Sequence, residues 1–128
     1  MNNVMRAYTS PLQSVSLGKF LPLESADMYY HTYPSYKCWH GVPNIGKADL
    51  KDDQMPCWSL ASLLNYLREI DFFPTIEADE HSVTMSVCYY DEEEGSPLNP
   101  IHDIIIKAET FIDACYGLIC KLHEQNIL

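Results

Sequence analysis

The sequence of 128 residues lacks the patterns of several common functional classes. It contains no CxxC pair, which argues against a zinc ribbon or knuckle. It also contains no glycine-rich phosphate loop and no serine nucleophile elbow. No apolar run approaches the roughly 18 residues of a membrane span, and the first residues hold no apolar signal-peptide core. We therefore expect a cytoplasmic protein with no cofactor, no metal and no membrane partner.

The number of cysteines is odd, which argues against a disulfide framework. The five are Cys38, Cys57, Cys88, Cys115 and Cys120. We expect reduced and mostly buried thiols. His31 and His40 lie near Cys38 in the sequence, but a structural zinc site needs four ligands at recognisable spacing, which these residues do not supply.

Basic residues are missing from one long segment. From Glu69 to Glu94 there are nine acidic residues and no Lys or Arg, so this segment supplies nine of the ten net negative charges. Such a surface repels phosphate backbones, so the sequence predicts no direct nucleic-acid binding. The segment is either a solubilising surface or a docking surface for a basic protein partner.

The composition is that of a folded protein, with 47% hydrophobic and 20% charged residues. The length predicts a single domain over residues 1–128. We expect residues 1–8 to be frayed. Residues 27–33 are aromatic and β-prone, which predicts a short strand. Prolines, glycines and an acidic cluster interrupt residues 34–54, which predicts a long irregular loop.

Two hydroxyl residues and a proline predict an early helix start at Thr9-Ser10-Pro11. Leu12 and Val15 would form the buried face of this short helix. A second helix is predicted from Pro56 to about Ile70. Its buried stripe comprises Leu60, Leu63, Leu64 and Leu67. On that helix Trp58 would point away from the leucines, so we expect the N-terminal segment to cover the indole.

Three strands and another helix follow. The strands are predicted over residues 72–79, 82–90 and 101–107 as an antiparallel meander, with Val83 and Val87 on the buried face of the central strand. The last helix runs from Thr110 to about Gln125. Its apolar stripe comprises Phe111, Cys115, Leu118, Ile119 and Leu122. The predicted fold is α+β: a three-stranded antiparallel meander packed on two amphipathic helices, preceded by a short helix, a short strand and a long wrapping loop.

Three stretches are distinctive as text: Gln13-Ser14 followed by residues 23–30 (Leu-Glu-Ser-Ala-Asp-Met-Tyr-Tyr), residues 56–60 (Pro-Cys-Trp-Ser-Leu), and residues 113–115 running to 121–124. Together they resemble a group of small proteins without assigned activity from gut Bacteroidetes and their phages and mobile elements. The resemblance covers most of the chain. In that group the position of Cys57 varies, with alanine as an alternative, whereas Trp58-Ser59 is steadier. The resemblance therefore implies a structural role for Trp58 and no activity.

One arrangement points to catalysis. Cys57 would lie in the first turn of the predicted helix, where the positive end of the helix dipole lowers the pKa of a thiol. His81 or His102, on the strands that follow, would then serve as the base of a thiol hydrolase. The simpler interpretation is a buried, inert cysteine.

The leading hypothesis is a non-enzymatic protein-interaction module, accessory to a mobile element, that uses its acidic segment or its aromatic loop. The predicted contact residues are Asp91, Glu92, Glu93, Glu94, Tyr36 and Trp39. A homodimer could form through the more polar face of the strand over residues 82–90.

Overall fold

The structure, a computed structural model, describes residues 7–33, 38–39, 42–89 and 102–128. The chain divides into two compact units, an N-terminal unit of Met1–Tyr66 and a C-terminal unit of Leu67–Leu128. Helices and antiparallel sheets together confirm an α+β fold. That residues 1–128 act as one domain stays a prediction.

The N-terminal unit begins with helix α1 (Pro11–Gly18), and its start is as predicted. The Ser10 hydroxyl accepts a hydrogen bond from the Gln13 N–H at 3.2 Å, and the Gln13 side chain accepts one from the Ser10 N–H at 2.9 Å. This reciprocal capping satisfies two N–H groups that a helix start otherwise leaves unpaired. Pro11, which has no N–H to satisfy, occupies the first helical position.

The buried face of α1 differs from the prediction. Leu12 is 83% exposed and Val15 is also exposed, whereas Ser14 and Leu17 are buried. The Ser14 hydroxyl lies 2.8 Å from that of the buried Thr9. The helix therefore turns a hydroxyl inward to complete a buried hydrogen bond, which apolar periodicity cannot indicate.

Strand β1 (Met28–Tyr33) is the centre of an antiparallel sheet and confirms the predicted short strand. Its partners are β2 (Cys38–Trp39), β3 (Asn44–Ile45) and β4 (Gln54–Cys57). Met28 pairs with residues of both β3 and β4, so these two strands lie on opposite edges of β1. In the described part of the predicted loop over 34–54, the irregular backbone is interrupted by β2, β3 and a 3₁₀ turn at Leu50–Asp52, and β4 begins at its end. Strands of two residues are too short to show a period of two.

Helix α2 (Leu60–Glu69) starts four residues later than predicted. Pro56 lies in β4, which in the described chain pairs only with β1. A proline is tolerated on such an edge strand because one side of it needs no N–H donor. Ser59 is the residue that caps α2, since its hydroxyl accepts from the Ser62 N–H at 3.0 Å.

The leucine stripe of α2 is confirmed in part. Leu63 and Leu67 are fully buried, whereas Leu60 and Leu64 are half-buried at its edges. Two residues of the segment predicted to fray, Ala7 and Tyr8, are paired with the start of α2. The Ala7 carbonyl accepts a 2.8 Å hydrogen bond from the Leu60 N–H, and Tyr8 forms a β-bridge with Ser59. Residues 1–6 lie outside the described part.

The C-terminal unit holds the predicted meander, in the order β5 (Thr75–Ala78), β6 (Val83–Tyr89) and β7 (His102–Ala108). All pairs are antiparallel. Strand β5 is shorter than predicted, and all four of its residues are exposed. The buried face of the sheet is as predicted, with Val83, Met85, Val87 and Ile104 inside.

Helix α3 (Phe111–Glu124) packs on β6 and β7. Its cap is as predicted, because the Thr110 hydroxyl accepts from the Asp113 N–H at 3.2 Å. Leu118 and Leu122 are fully buried, while Phe111 is only half-buried. The buried face is wider than the predicted stripe and comprises Ile112, Ala114, Cys115, Leu118, Ile119 and Leu122.

Candidate functional site

Cys57, the predicted alternative nucleophile, is the last residue of β4 and is not part of a helix. Its thiol is fully buried and lies 3.5 Å from both the hydroxyl and the carbonyl oxygen of Thr9. Burial raises the pKa of this thiol above its ordinary value, and hydrogen bonds with Thr9, Ser14 and Tyr30 offset only part of that rise. The prediction of a helix dipole that favours the thiolate is therefore wrong.

The two predicted bases belong to the C-terminal unit, whereas Cys57 belongs to the N-terminal unit. His81 is exposed in the turn between β5 and β6, where its backbone N–H donates to the Asp79 carboxylate at 2.7 Å. His102 is the first residue of β7, and its side chain lies outside the described part. The groups that shift the pKa of Cys57 most are the hydroxyls of Thr9, Ser14 and Tyr30 and the carboxylate of Asp27.

Thr9 is the centre of a buried polar cluster that the sequence did not indicate. The residue is fully buried. Its hydroxyl accepts from the Trp58 N–H at 3.1 Å and bonds to that of Ser14 at 2.8 Å. Its carbonyl accepts from the Tyr30 hydroxyl at 2.7 Å, and its N–H donates to the Trp58 carbonyl at 2.9 Å. Thr9 thus ties α1 to β1 and β4, a structural role.

Trp58, which follows β4 in the chain, is fully buried, and two residues of the N-terminal segment, Thr9 and Ser25, bond to it. Its indole N–H donates to the Ser25 hydroxyl at 2.9 Å, in the 3₁₀ turn Leu23–Ser25. The expectation that it lies on the far side of a helix was wrong, because the helix begins two residues later. Trp58 is therefore a structural residue, held at both its backbone and its ring.

Asp27 joins the start of β1 to the start of α2. Its carboxylate accepts hydrogen bonds from the N–H and the hydroxyl of Ser59. Partial burial would raise the pKa of this carboxyl, but the hydrogen bonds with Ser59 and Ser62 outweigh that cause and hold the pKa below its usual value. An ionised group is thereby fixed at a positively polarised helix start. In the sequence, the only signal for this role of Asp27 was its position as a single acid at the edge of an aromatic, β-prone stretch.

The face of the meander opposite α3 consists of exposed and half-buried side chains. The strand register places alternate residues there, and we call this set the open sheet face: Thr75, Glu77, Thr84, Ser86, Cys88, Ile105 and Lys107. Ile105, which is 61% exposed, is its large apolar side chain. Because Glu77 pairs with Thr84 and Thr84 with Lys107, one acid and one base lie in a row across the strands.

Acidic side chains continue from this face into the turn after β5. Asp79 shapes the turn by accepting from the N–H groups of His81 and Ser82, at 2.7 and 2.9 Å, and these bonds lower the pKa of its carboxyl. Glu80 follows and is exposed, as is Glu77. Asp79 is therefore a structural acid, whereas Glu77 and Glu80 remain free to meet a partner.

The division of charge between the two units is sharper than the sequence window suggested. The N-terminal unit has five basic and five acidic residues, whereas the C-terminal unit has three basic and thirteen acidic residues. The whole net charge of −10 thus belongs to the C-terminal unit. The sequence alone does not show this division of charge, because it does not show where the two units divide.

The other predicted interaction residues lie largely outside the described part. These are Asp91, Glu92, Glu93, Glu94 and Tyr36, together with the side chain of Trp39, whose backbone forms β2. Their role stays a prediction. Of the neighbouring aromatic residues, Tyr30 is buried in the core with Met55 and Cys57.

Comparison of the chain with protein-family models, with curated proteins and with solved structures gives no match in any of the three. Within the described ranges, no helix has the length and apolar character to cross a bilayer. The same ranges contain no group of three or more His, Cys, Asp or Glu side chains arranged to hold a metal ion.

Proposed function

We propose that the protein is a non-enzymatic interaction module, accessory to a mobile element, whose C-terminal unit docks on a basic surface of a protein partner. The observation that carries this proposal is the charge division: thirteen acids against three bases in residues 67–128, and electrical neutrality in residues 1–66. A charge concentrated in one unit orients an approaching basic partner toward that unit and speeds its association.

The open sheet face offers a contact area for such a partner. It combines hydroxyls, the exposed apolar side chain of Ile105 and the carboxylate of Glu77. Interfaces need an apolar contact as well as charge, since charge alone adds more to rate and specificity than to affinity. A homodimer through this face would bring two acidic units together, and their repulsion works against it. We therefore favour a basic partner over a second copy.

The thiol-hydrolase alternative finds no support in the site. A fully buried thiol with a raised pKa is a poor nucleophile at neutral pH. It is also out of reach of a substrate unless the cluster around Thr9 opens. The phosphate backbone of a nucleic acid would be repelled by the C-terminal unit, so a protein partner is the better candidate.

Charge reversal in the C-terminal unit tests the proposal. The tagged chain is used to capture partners from its native host, and the double variant Glu77→Lys, Glu80→Lys is compared with wild type. Asp79 is left intact because it shapes the turn. The proposal expects one basic partner, lost in the variant and released by raising the salt concentration.

A matched control carries the same change of charge elsewhere. Glu24→Lys with Glu124→Lys alters two exposed acids that are not members of the open sheet face and should keep most of the partner. Ile105→Asn, which leaves the charge unchanged, should weaken binding of the partner without a large change in its salt dependence. Recovery that is equal in all variants, or that is insensitive to salt, would rule out docking through this face.

A further inference from the structure

The N-terminal unit contains a pocket that the proposed function does not use. Its volume is about 380 Å³, within the range of small-molecule sites. Three stretches of the chain form its wall: α1, the segment around the turn Leu23–Ser25, and the segment from Leu50 to β4. The lining residues are Ser14, Val15, Gly18, Lys19, Leu21, Leu23, Leu50, Met55 and Pro56.

Aliphatic side chains converge on this pocket although they remain in contact with water. Val15, Leu23 and Leu50 each belong to a different wall, and each is partly exposed, Leu50 by 62%. A folded chain gains by burying such side chains, at about 25 cal/mol per Å² of apolar surface. Their joint exposure around one concave space indicates an apolar group that covers them when bound.

The polar groups of the lining differ in their availability. The Ser14 hydroxyl is buried and already bonded to Thr9 at 2.8 Å, so it is satisfied without a ligand. Lys19 is exposed and is the lining residue that carries a charge. Within the described residues its ammonium group forms no ion pair. One cation beside an aliphatic space is complementary to an anion with an aliphatic tail.

We infer that this pocket binds a small aliphatic monocarboxylate, with the tail among Val15, Leu23 and Leu50 and the carboxylate at the Lys19 ammonium. This site is separate from the proposed acidic docking surface, and either could exist without the other. A ligand of this class matches both features of the pocket, whereas a neutral alkane would leave the cation unused and a polyanion would leave the apolar wall exposed.

Chain length provides the first test. Butyrate, hexanoate and octanoate, with octanol as the neutral counterpart of octanoate, are titrated into the full chain below their aggregation limits and followed by calorimetry and NMR. Each buried methylene contributes about 0.8 kcal/mol, so affinity should rise about fourfold per methylene until the pocket is full. Octanol should bind about fivefold more weakly than octanoate, as befits a partly exposed ion pair.

Lys19→Gln separates charge from tail. It should lower the affinity for octanoate about fivefold, to that of octanol, and leave octanol binding unchanged. Lys121→Gln is the matched control, since this lysine is also exposed but pairs with Glu124 at 3.5 Å in the other unit. Its octanoate affinity should equal that of wild type.

Gly18 allows the pocket to be filled from within. A Cβ built on Gly18 would lie 3.9 Å from the Pro56 Cγ, an ordinary contact inside the lining, and Gly18 has no positive φ that a side chain would strain. Gly18→Leu should therefore abolish binding of octanoate and octanol alike, and Gly18→Ala should weaken it less. Circular dichroism checks that each variant is folded. If Gly18→Leu does not fold, the result for Lys19→Gln decides whether the ligand binds in this pocket.

Several results would overturn the inference. One is the lack of saturable binding by any acid of the series. Another is equal affinity for octanoate and octanol together with no effect of Lys19→Gln. A third is unchanged binding by folded Gly18→Leu, which would place the ligand elsewhere on the chain.

Discussion

The buried hydroxyl of Thr9 should be worth more to stability than its methyl group. Thr9→Val keeps the shape of the side chain and removes the hydroxyl, which leaves the Trp58 N–H and the Ser14 hydroxyl without that partner. Each buried polar group that loses its hydrogen bond costs about 1–3 kcal/mol, and the added methyl returns about 0.8 kcal/mol. For the two groups together we expect a net loss of about 1–5 kcal/mol in the free energy of unfolding.

Thr9→Ser provides the opposite change, because it keeps the hydroxyl and removes the methyl. It should cost about 1 kcal/mol, so the serine variant should be more stable than the valine variant. An apolar role for Thr9 would reverse that order. Thr75→Val, on the exposed strand β5, is the matched control and should change stability by less than about 0.5 kcal/mol.

Urea unfolding followed by tryptophan fluorescence measures these differences. Both tryptophans, Trp39 and Trp58, belong to the N-terminal unit, so the signal reports on the unit that contains Thr9. A loss of about 3 kcal/mol should lower the urea midpoint by roughly 1–2 M. If Thr9→Val is as stable as Thr9→Ser, the buried hydroxyl is not what fixes α1 to β4, and the structural role assigned to Thr9 is incorrect.

Three further predictions concern other contacts. Asp27→Asn should lower the free energy of unfolding by about 1 kcal/mol at neutral pH. The difference between variant and wild type should shrink in acid, because the pKa of Asp27 in the folded chain lies below the ordinary 3.8. The stabilisation by Asp27 is therefore complete above pH 3.8 and disappears as the pH falls through the folded pKa. Gly117→Ala should lower the thermal stability although alanine has the better helix propensity, because the new Cβ would lie 2.9 Å from the Ile106 Cγ2. In an Ile106→Ala background the same change should be neutral or stabilising in thermal unfolding. Iodoacetamide at pH 8, with mass spectrometry, should label the exposed Cys88 and leave Cys57 unmodified until urea unfolds the chain; selective native labelling of Cys57 would contradict its burial and raised pKa.

The elements with a sustained pattern could be predicted from the sequence. Strand β6 alternates apolar and polar residues over its whole length, and α3 repeats its apolar residues at helical spacing behind a capping threonine. These two features predicted the meander and the helix that packs on it. Gly117 escaped notice because the closeness of a helix to a strand depends on packing, which has no signature in a single sequence.

The N-terminal unit was predicted less well because hydroxyl groups hold it together. Thr9, Ser14 and Ser59 are polar residues that turn inward, and each satisfies a donor or acceptor from a distant part of the chain. A hydrophobicity pattern assigns such residues to the surface, so it placed Leu12 and Val15 inside, whereas the structure exposes both and buries Ser14. The pocket of this unit was missed for the same reason, since it depends on which face of α1 is buried.

A shift of four residues in one helix start changes the chemistry assigned to Cys57. In the first turn of a helix, the thiol would have met unpaired N–H groups and a positive potential, which favour the thiolate. At the end of β4 it meets the hydroxyls of Thr9, Ser14 and Tyr30 in a site without solvent, and burial raises its pKa instead. The residue type and its sequence neighbours are the same in both cases. What distinguishes them is that Ser59, rather than a residue before Pro56, provides the cap of α2.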